Sequence, residues 1–182
     1  MRLYLIRHGA TAGNLQGRYI GRTEEPLCEE GREHLVRQWT FPPPIRALYI
    51  SPSLRCRQTA SLLFPQKIPV EVEDLRECDF GLFEGKNYQE LAGNPLYQAW
   101  IDSGGSLPFP GGESPEEVRE RTLKGFYGVL RREEERREKE KRERELGEGK
   151  KEEEKKEKEE GKEEEETKEK GIGIEEEDKK EK

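Results

Sequence analysis

The composition of the chain changes sharply at Arg131, and this change limits where a folded core can form. Of the 52 residues from Arg131 to the end, 43 are charged and only three are apolar, and every aromatic residue lies before them. Such a segment cannot bury enough apolar surface to offset the entropy that is lost on folding. We therefore expect one globular domain over residues 1–130 and a low-complexity tail over residues 131–182.

Three apolar segments of the globular part have the length and pattern of strands. Residues 3–6 form a continuous apolar run that is typical of a buried strand, residues 45–50 form a second strand, and residues 70–73 alternate as in a half-exposed third strand. Helices are predicted between the strands, one over residues 29–39 and one that begins at Ser51-Pro52, with serine as the cap and proline in the first turn.

The polar tripeptide Arg7-His8-Gly9 follows the first predicted strand directly. In an open α/β sheet, ligand sites lie outside the carboxyl ends of the strands. An imidazole beside a guanidinium suits a phosphate, because arginine offers a fixed fork of donors and histidine offers a nucleophilic nitrogen. Arg55 adds a second guanidinium near a predicted helix N-terminus, which itself favours an anion. A plain surface histidine on a loop is the alternative interpretation of the tripeptide alone.

Charge and cysteine content argue against several classes of function. The formal net charge of -7 disfavours nucleic acid or an anionic membrane as the main partner. No apolar run approaches the length of a membrane span, and none has the order of a signal peptide. The 3 cysteines form no C-x-x-C pair, so free thiols are favoured over disulfides or a zinc site. We therefore expect a cytoplasmic protein without a metal site.

Three motifs occur in one order along the globular part, and together they resemble the histidine phosphatase superfamily, also called phosphoglycerate mutase-like. They are Arg7-His8-Gly9 with Thr11 and Asn14, Ser51-Pro52 with Arg55 and Thr59-Ala60, and Leu75-Arg76-Glu77 with Phe80-Gly81 and Glu84-Gly85. The resemblance implies an α/β fold, a three-layer open sheet with helices on both faces. It also implies that the family pattern is truncated in this chain.

Within the superfamily, three segments look most like alpha-ribazole phosphatases, which dephosphorylate a nucleotide-loop precursor in cobalamin synthesis. These segments are MRLYLIRHGATAGN, LRECDFGLFEG and FPGGES. Phosphoglycerate mutases and broad-specificity phosphatases share much of the same pattern. The resemblance therefore implies alpha-ribazole 5'-phosphate as the first candidate substrate, with those two classes as alternatives.

The resemblance also implies a two-step phosphohistidine mechanism on a small phosphorylated metabolite. His8 would attack phosphorus while a backbone carbonyl holds its other ring nitrogen. Arg7 and Arg55 would neutralise the phosphoryl oxygens, and Asn14 would add a hydrogen bond. Glu77 would protonate the leaving alkoxide and then activate water. The scheme requires neither a metal nor a cofactor.

The chain departs from the family pattern at one position that matters for catalysis. The family ordinarily supplies a second active-site histidine, in a His-Gly at the end of a later strand. This chain has 2 histidines and a single His-Gly, and His34, which precedes Leu35 on a predicted helix, does not match. An active phosphomonoesterase, a non-catalytic binder of phosphorylated ligands and an interaction protein that uses its tail therefore all stay open. The sequence does not predict an oligomeric state.

The tail supports two interpretations of its own. Acid-before-base pairs at helical spacing predict that the preceding helix extends to about residue 145, and the pattern is lost beyond Gly147, where disorder is expected. Lys, Glu, Arg and Gly, which purine-only codons can encode, account for 47 of the 52 tail residues. One hypothesis is a purine-rich repeat or frameshift that replaced the ordinary C-terminal third, giving a truncated gene product. The alternative is a charged spacer or a protein-binding tail.

Overall fold

A computed structural model describes residues 2–39 and 44–177 of the chain. It divides into two compact units, Met1–Leu130 and Arg131–Lys182. In chain order, the helices and strands are α1 (Ala12–Leu15), α2 (Glu29–Gln38), β1 (Tyr49–Ile50), α3 (Leu54–Leu63), β2 (Val70–Glu71), α4 (Pro95–Asp102) and α5 (Pro115–Glu177). Two 3-10 turns, Glu73–Leu75 and Gly81–Phe83, lie between β2 and α4.

The sheet is a two-stranded parallel pair, β1 with β2, and helix α3 connects the two strands. Tyr49 lies opposite Val70, and the backbone N–H groups of Val70 and Val72 donate to the carbonyls of Leu48 and Ile50 at 2.8 and 2.9 Å. This β-α-β unit is the connection that parallel strands require. The α/β class predicted from the sequence is confirmed, although each strand has only 2 residues in place of the longer runs predicted.

The prediction of a buried strand over residues 3–6 is wrong. The segment is irregular, no backbone hydrogen bond joins it to another described residue, and Leu5 is 84% exposed. A strand is stable only when a neighbour pairs with its N–H and C=O groups. Among the described residues, β1 pairs with β2 and no segment pairs with residues 3–6.

The hydrophobic core of the first unit is a cluster of aromatic and aliphatic side chains around Phe83, which is fully buried. The other buried members are Cys78, Leu91 and Phe109, and partly buried aromatic rings pack around them. The Phe80 and Phe109 rings meet edge to face at 5.0 Å, an arrangement that aromatic pairs prefer. Because Cys78 belongs to this core, the core fixes the segment that carries the neighbouring Glu77.

Helix α3 begins two residues later than predicted, so the prediction that Ser51-Pro52 starts it is wrong. Ser53 is the residue that precedes the first turn, and its carbonyl accepts from the N–H groups of Cys56 and Arg57 at 3.0 and 3.1 Å. The Glu24 carboxylate accepts from the Leu54 N–H at 2.6 Å and thereby satisfies a free amide at this later start.

The start of helix α5 matches the capping box that the sequence indicates. The Ser114 hydroxyl accepts from the Glu117 N–H at 3.2 Å, and the Glu117 carboxylate accepts from the Ser114 N–H at 2.8 Å. The two residues thus satisfy each other's free backbone donors, as this motif requires.

In the Arg131–Lys182 unit, the described helix continues beyond Gly147 to Glu177 and so extends further than the sequence pattern predicts. Glu, Lys and Arg have high helix propensity, which favours this extension. Ion pairs one turn apart, each worth about 0.2–0.5 kcal/mol, add to it. They include Glu138–Arg142, Arg131–Glu135, Lys139–Glu143 and Lys141–Glu145. Across residues 2–39 and 44–177, no helix has the length and apolar character needed to cross a membrane.

Candidate active site

A cavity of about 260 Å³ in the first unit brings together three of the five predicted site residues, His8, Arg55 and Glu77. Ser53 and Arg76 also line it. His8 comes from the segment before α1, Arg55 from the first turn of α3, and Glu77 from the segment after β2. The β-α-β unit and the segments that flank it therefore build the site.

Helices α2 and α3 hold the backbone directly after His8. The Gly9 N–H donates to the Thr59 hydroxyl on α3 at 3.1 Å, and the Ala10 carbonyl accepts from the Cys28 N–H at 3.0 Å. Gly31 on α2 approaches so closely that a Cβ there would lie 2.2 Å from the Ala10 carbonyl oxygen. A side chain at residue 31 would therefore displace the loop that carries His8.

The imidazole of His8 is oriented by its own neighbour. Its Nδ1 lies 2.7 Å from the Gly9 carbonyl oxygen, and because a carbonyl only accepts, Nδ1 carries the proton. Nε2 then keeps its lone pair, and no described residue hydrogen-bonds to it. The ring is half-buried, in a cavity, with its nucleophilic nitrogen available.

Burial of the imidazole lowers the pKa of His8 below its ordinary value of 6.5, and the positive charges of Arg55 and Arg7 lower it further. The hydrogen bond to Gly9 and the negative charge of Glu77 act in the opposite direction but do not reverse the shift in the pKa. The neutral, nucleophilic form of His8 therefore predominates at pH 7.

Arg55 is a buried cation without a carboxylate partner among the described residues. It is 1% exposed, and its guanidinium donates to the backbone carbonyls of Ile20, Gly21 and Thr23 at 3.3, 3.0 and 3.2 Å. Its Nε has no hydrogen-bond partner. Carbonyl dipoles compensate a buried charge only in part, so this corner of the cavity favours an anion.

The loop of residues 20–23 is held from its other side by Glu84. One carboxylate oxygen of Glu84 accepts from the Gly21 N–H, the Thr23 N–H and the Thr23 hydroxyl, at 2.8, 2.9 and 2.8 Å. Glycine is required at residue 21, because a Cβ there would lie 1.9 Å from the Cys78 carbonyl oxygen. Sequence reasoning noted Glu84 only as part of a motif and missed this role.

Glu77 is exposed at the cavity, and one of its carboxylate oxygens accepts from the N–H of Cys78 at 2.9 Å. The segment around it is braced by Glu113, whose carboxylate accepts from the Asp79 N–H at 2.9 Å and from Arg76 at 3.0 Å. Arg121 on α5 donates two hydrogen bonds to the same carboxylate, at 2.9 and 2.8 Å.

These contacts shift the pKa of the Glu113 carboxylate. Burial raises the pKa of Glu113, but hydrogen bonds from Arg121 and from the Asp79 N–H outweigh burial and leave the pKa below its ordinary value. The charged form is therefore the one that holds the network together. Neither Glu113 nor Arg121 was expected from the sequence, because they act through the backbone of a distant segment.

The other two predicted residues do not line the cavity. Arg7 is exposed and acts on the site through its charge, which contributes to the lowered pKa of His8. The Asn14 side chain accepts from the Thr11 N–H at 3.1 Å and completes the capping box of α1. The Oδ1 of Asn14 therefore has a structural role, and its Nδ2 donors are not used by this bond.

A second histidine does not reach the cavity in the part of the chain that the structure describes. His34 lies on α2 and is absent from the residues that line the cavity. Within the same residues, no group of three or more His, Cys, Asp or Glu side chains is placed to hold a metal ion.

The profile of the histidine phosphatase superfamily (branch 1) matches residues 3–140, more than half of the chain. The chain belongs to the histidine phosphatase superfamily. Over 135 residues the chain is 30% identical to 2,3-bisphosphoglycerate-dependent phosphoglycerate mutase 2 of Gloeobacter violaceus, and the match covers 69% of this chain and 61% of the relative.

Two further matches, one to a sequence and one to a crystal structure, come from Escherichia coli K-12. The adenosylcobalamin/alpha-ribazole phosphatase is 33% identical over 108 residues, which covers 56% of this chain and 53% of the relative. The crystal structure of a candidate alpha-ribazole-5'-P phosphatase superposes with a TM-score of 0.63 at 26% identity, covering 70% of this chain and 65% of that one. The chain thus spans less than two thirds of the length of each of these three relatives.

Proposed function

We propose that this histidine phosphatase hydrolyses a small phosphate monoester through a phosphohistidine formed on His8. One observation carries the proposal: a neutral imidazole, with Nδ1 bound to the Gly9 carbonyl and Nε2 without a partner among the described residues, lines a cavity with Arg55 and Glu77. A nucleophile, a buried cation and a carboxyl group are the three parts that this chemistry needs.

The proposed reaction has two displacements at phosphorus. In the first, Nε2 of His8 bonds to phosphorus as the ester P–O bond breaks, and the Glu77 carboxyl group gives its proton to the leaving alkoxide. In the second, Glu77 takes a proton from water, the oxygen of which attacks phosphorus and releases inorganic phosphate from His8. Arg55, with Arg7 nearby, offsets the charge on the phosphoryl oxygens in both transition states. Asn14 can also donate from Nδ2 to a phosphoryl oxygen, because the capping bond from Thr11 uses only its Oδ1.

Alpha-ribazole 5'-phosphate is our first candidate substrate. The LRECDFGLFEG and FPGGES segments and the two Escherichia coli relatives support it. The Gloeobacter violaceus relative makes a phosphoglycerate the alternative, and a broad-specificity phosphatase is the third. The cavity of about 260 Å³ is below the usual ligand range of about 300–1,000 Å³, so we expect it to hold the phosphoryl group and only part of a larger leaving group.

A second candidate function is a protein that binds phosphate esters without turning them over. Its support is that His8 is the single histidine among the described residues that line the cavity. Without a second imidazole, Arg55 carries most of the stabilisation of the phosphoryl charge. Loss of one such group typically slows a reaction by about 10²–10³-fold.

Release of inorganic phosphate from an aryl phosphate distinguishes the two candidates. We expect slow turnover by the whole chain, a loss of at least about a thousandfold in His8→Ala, and full activity in the matched control His34→Ala. A phosphohistidine, stable in base, should be detected by mass spectrometry on the peptide that contains His8. If the wild type binds phosphate without turnover, the second candidate is correct, and comparison of alpha-ribazole 5'-phosphate with 3-phosphoglycerate then ranks the ligands.

A further inference from the structure

We infer that the Ser53 hydroxyl is a further substrate-binding group, which donates a hydrogen bond to a phosphoryl oxygen beside Arg55. This inference rests on the proposed function and adds to it a residue that the ordered motifs do not include. Ser53 lines the same cavity as His8, Arg55 and Glu77.

The first support is an unsatisfied hydroxyl. Ser53 is only 7% exposed, yet its hydroxyl oxygen has no hydrogen-bond partner among the described residues. A buried hydroxyl without a partner is unfavourable, and such groups in native structures call for an explanation. Rotation about one torsion re-aims a serine hydroxyl, so a ligand oxygen in the cavity can become its partner.

The position of Ser53 in the helix makes this lack of a partner unusual. A serine directly before a helix normally accepts from an amide of the first turn. Here the Ser53 side chain makes no such bond. Such a hydroxyl would accept from the N–H of Arg55 or Cys56, and the Cys56 N–H donates to the Ser53 backbone carbonyl at 3.0 Å. The hydroxyl is therefore not occupied in stabilising the helix.

The second support is that the neighbouring unsatisfied group is also a donor. The Nε of Arg55, two residues along α3, is buried and has no partner. An arginine can only donate, and a hydroxyl can donate as well, so a single kind of ligand atom satisfies both: an oxygen that only accepts. The phosphoryl oxygens of a phosphate monoester are such atoms, and the buried charge of Arg55 favours them over a neutral acceptor.

Substitution of Ser53 separates this role from a structural one, with inorganic phosphate as the probe. In Ser53→Ala, we expect the melting temperature of the free protein to stay the same or rise, because an unsatisfied hydroxyl is removed. Phosphate affinity, measured as competitive inhibition of aryl phosphate turnover and as the thermal shift that phosphate causes, should fall about tenfold. Ser53→Thr retains the hydroxyl and should restore affinity to within about threefold. The matched control is Ser61→Ala, which removes an exposed hydroxyl from the same helix and should match the wild type.

The possible results separate the two levels of the proposal. If His8-dependent turnover holds while Ser53→Ala binds phosphate like the wild type, this inference is overturned and the proposed function stands. A lower melting temperature of Ser53→Ala with unchanged phosphate affinity, or failure of both Ser53→Ala and Ser53→Gly to fold, assigns the hydroxyl a structural role and also overturns it. If the wild type neither binds phosphate nor turns over an aryl phosphate, the proposed function fails and this inference fails with it.

Discussion

The two segments that meet at the cavity are held very differently. The acid segment, residues 73–79, carries Glu77, donates to Glu113 from the Asp79 N–H and from Arg76, and accepts from Arg121 at the Asp74 and Arg76 carbonyls. The nucleophile segment, residues 3–10, carries His8 and is held at Gly9 and Ala10, while residues 3–6 have no backbone partner among the described residues. The acid is thus preorganised more firmly than the nucleophile, and we expect the position of His8 to limit the rate.

Of the substitutions that test how the two segments are held, Glu113→Ala should lower the free energy of unfolding most. The substitution leaves the Arg121 side chain, only 10% exposed, with backbone carbonyls but no carboxylate to bind, and we expect a loss of about 3 kcal/mol in the free energy of unfolding. Because the pKa of Glu113 is lowered in the folded state, the stabilisation is present above its ordinary value of 4.5 and is lost as the pH falls through the folded value. Urea denaturation at pH 7 and at pH 4 measures both.

The matched control for Glu113→Ala is Glu116→Ala, which removes an exposed partner of Arg119 and should leave the free energy of unfolding nearly unchanged, because solvent screens an exposed pair. Equal losses in the two variants would show that the acid segment is not braced in the way described.

A smaller effect is expected on the nucleophile segment from Thr59→Val. Valine keeps the shape but removes the acceptor for the Gly9 N–H, at a cost of roughly 1–3 kcal/mol for an unsatisfied buried donor. If the position of His8 limits the rate, phosphatase activity should fall by about tenfold at temperatures where the variant is fully folded. Ser61→Ala on the same helix is the control. An unchanged kcat in Thr59→Val would contradict the proposal that the position of His8 limits the rate.

The pH dependence of kcat/KM tests the electrostatics of the nucleophile. Since burial and the nearby arginines lower the pKa of His8, the acid limb should lie below pH 6.5, with rates falling about tenfold per pH unit beneath it. Arg7→Gln removes one positive charge, so the His8 pKa should rise and the limb should move to higher pH. Arg37→Gln, an exposed substitution on α2, should leave it in place. An acid limb above pH 6.5 in the wild type contradicts this account.

The smallest effect is expected at the exposed end of the nucleophile segment. Leu5→Ser should change the free energy of unfolding by less than about 0.5 kcal/mol, since Leu5 is 84% exposed. By contrast, Phe83→Ala in the core should cost about 3–5 kcal/mol. A loss above about 1 kcal/mol in Leu5→Ser would mean that residues 3–6 are buried in solution.

The sequence allowed local features of the fold to be predicted where the signal is local. The capping box at Ser114 and Glu117 follows from residues three apart, and three residues of the ordered motifs, His8, Arg55 and Glu77, line one cavity. The apolar run at residues 3–6 has the composition of a strand, but composition carries no information on whether a pairing partner exists.

The remaining parts of the site depend on contacts between distant residues. Glu113 accepts a hydrogen bond from the N–H of Asp79, 34 residues away, and Glu84 accepts one from the N–H of Gly21, 63 residues away. No periodicity or spacing marks such pairs in a single sequence. Asn14 shows the converse problem, because an amide side chain suits a helix cap through Oδ1 and a phosphate through Nδ2, and the sequence alone does not reveal the contact with Thr11.

The loop of residues 20–23 has a consequence for how this protein can vary. Arg55 donates to the Ile20 carbonyl and Glu84 accepts from the Gly21 N–H, which are the two polar groups of one peptide, and no described ion pair joins the two side chains. The charge of each side chain is therefore neutralised through backbone dipoles that the other side chain helps to orient. Loss of one side chain leaves the charge of the other inadequately compensated. The two positions should behave epistatically, with a double substitution less harmful than the sum of the single ones. The loop thus makes Arg55 and Glu84 dependent on each other in evolution, although no described ion pair joins them.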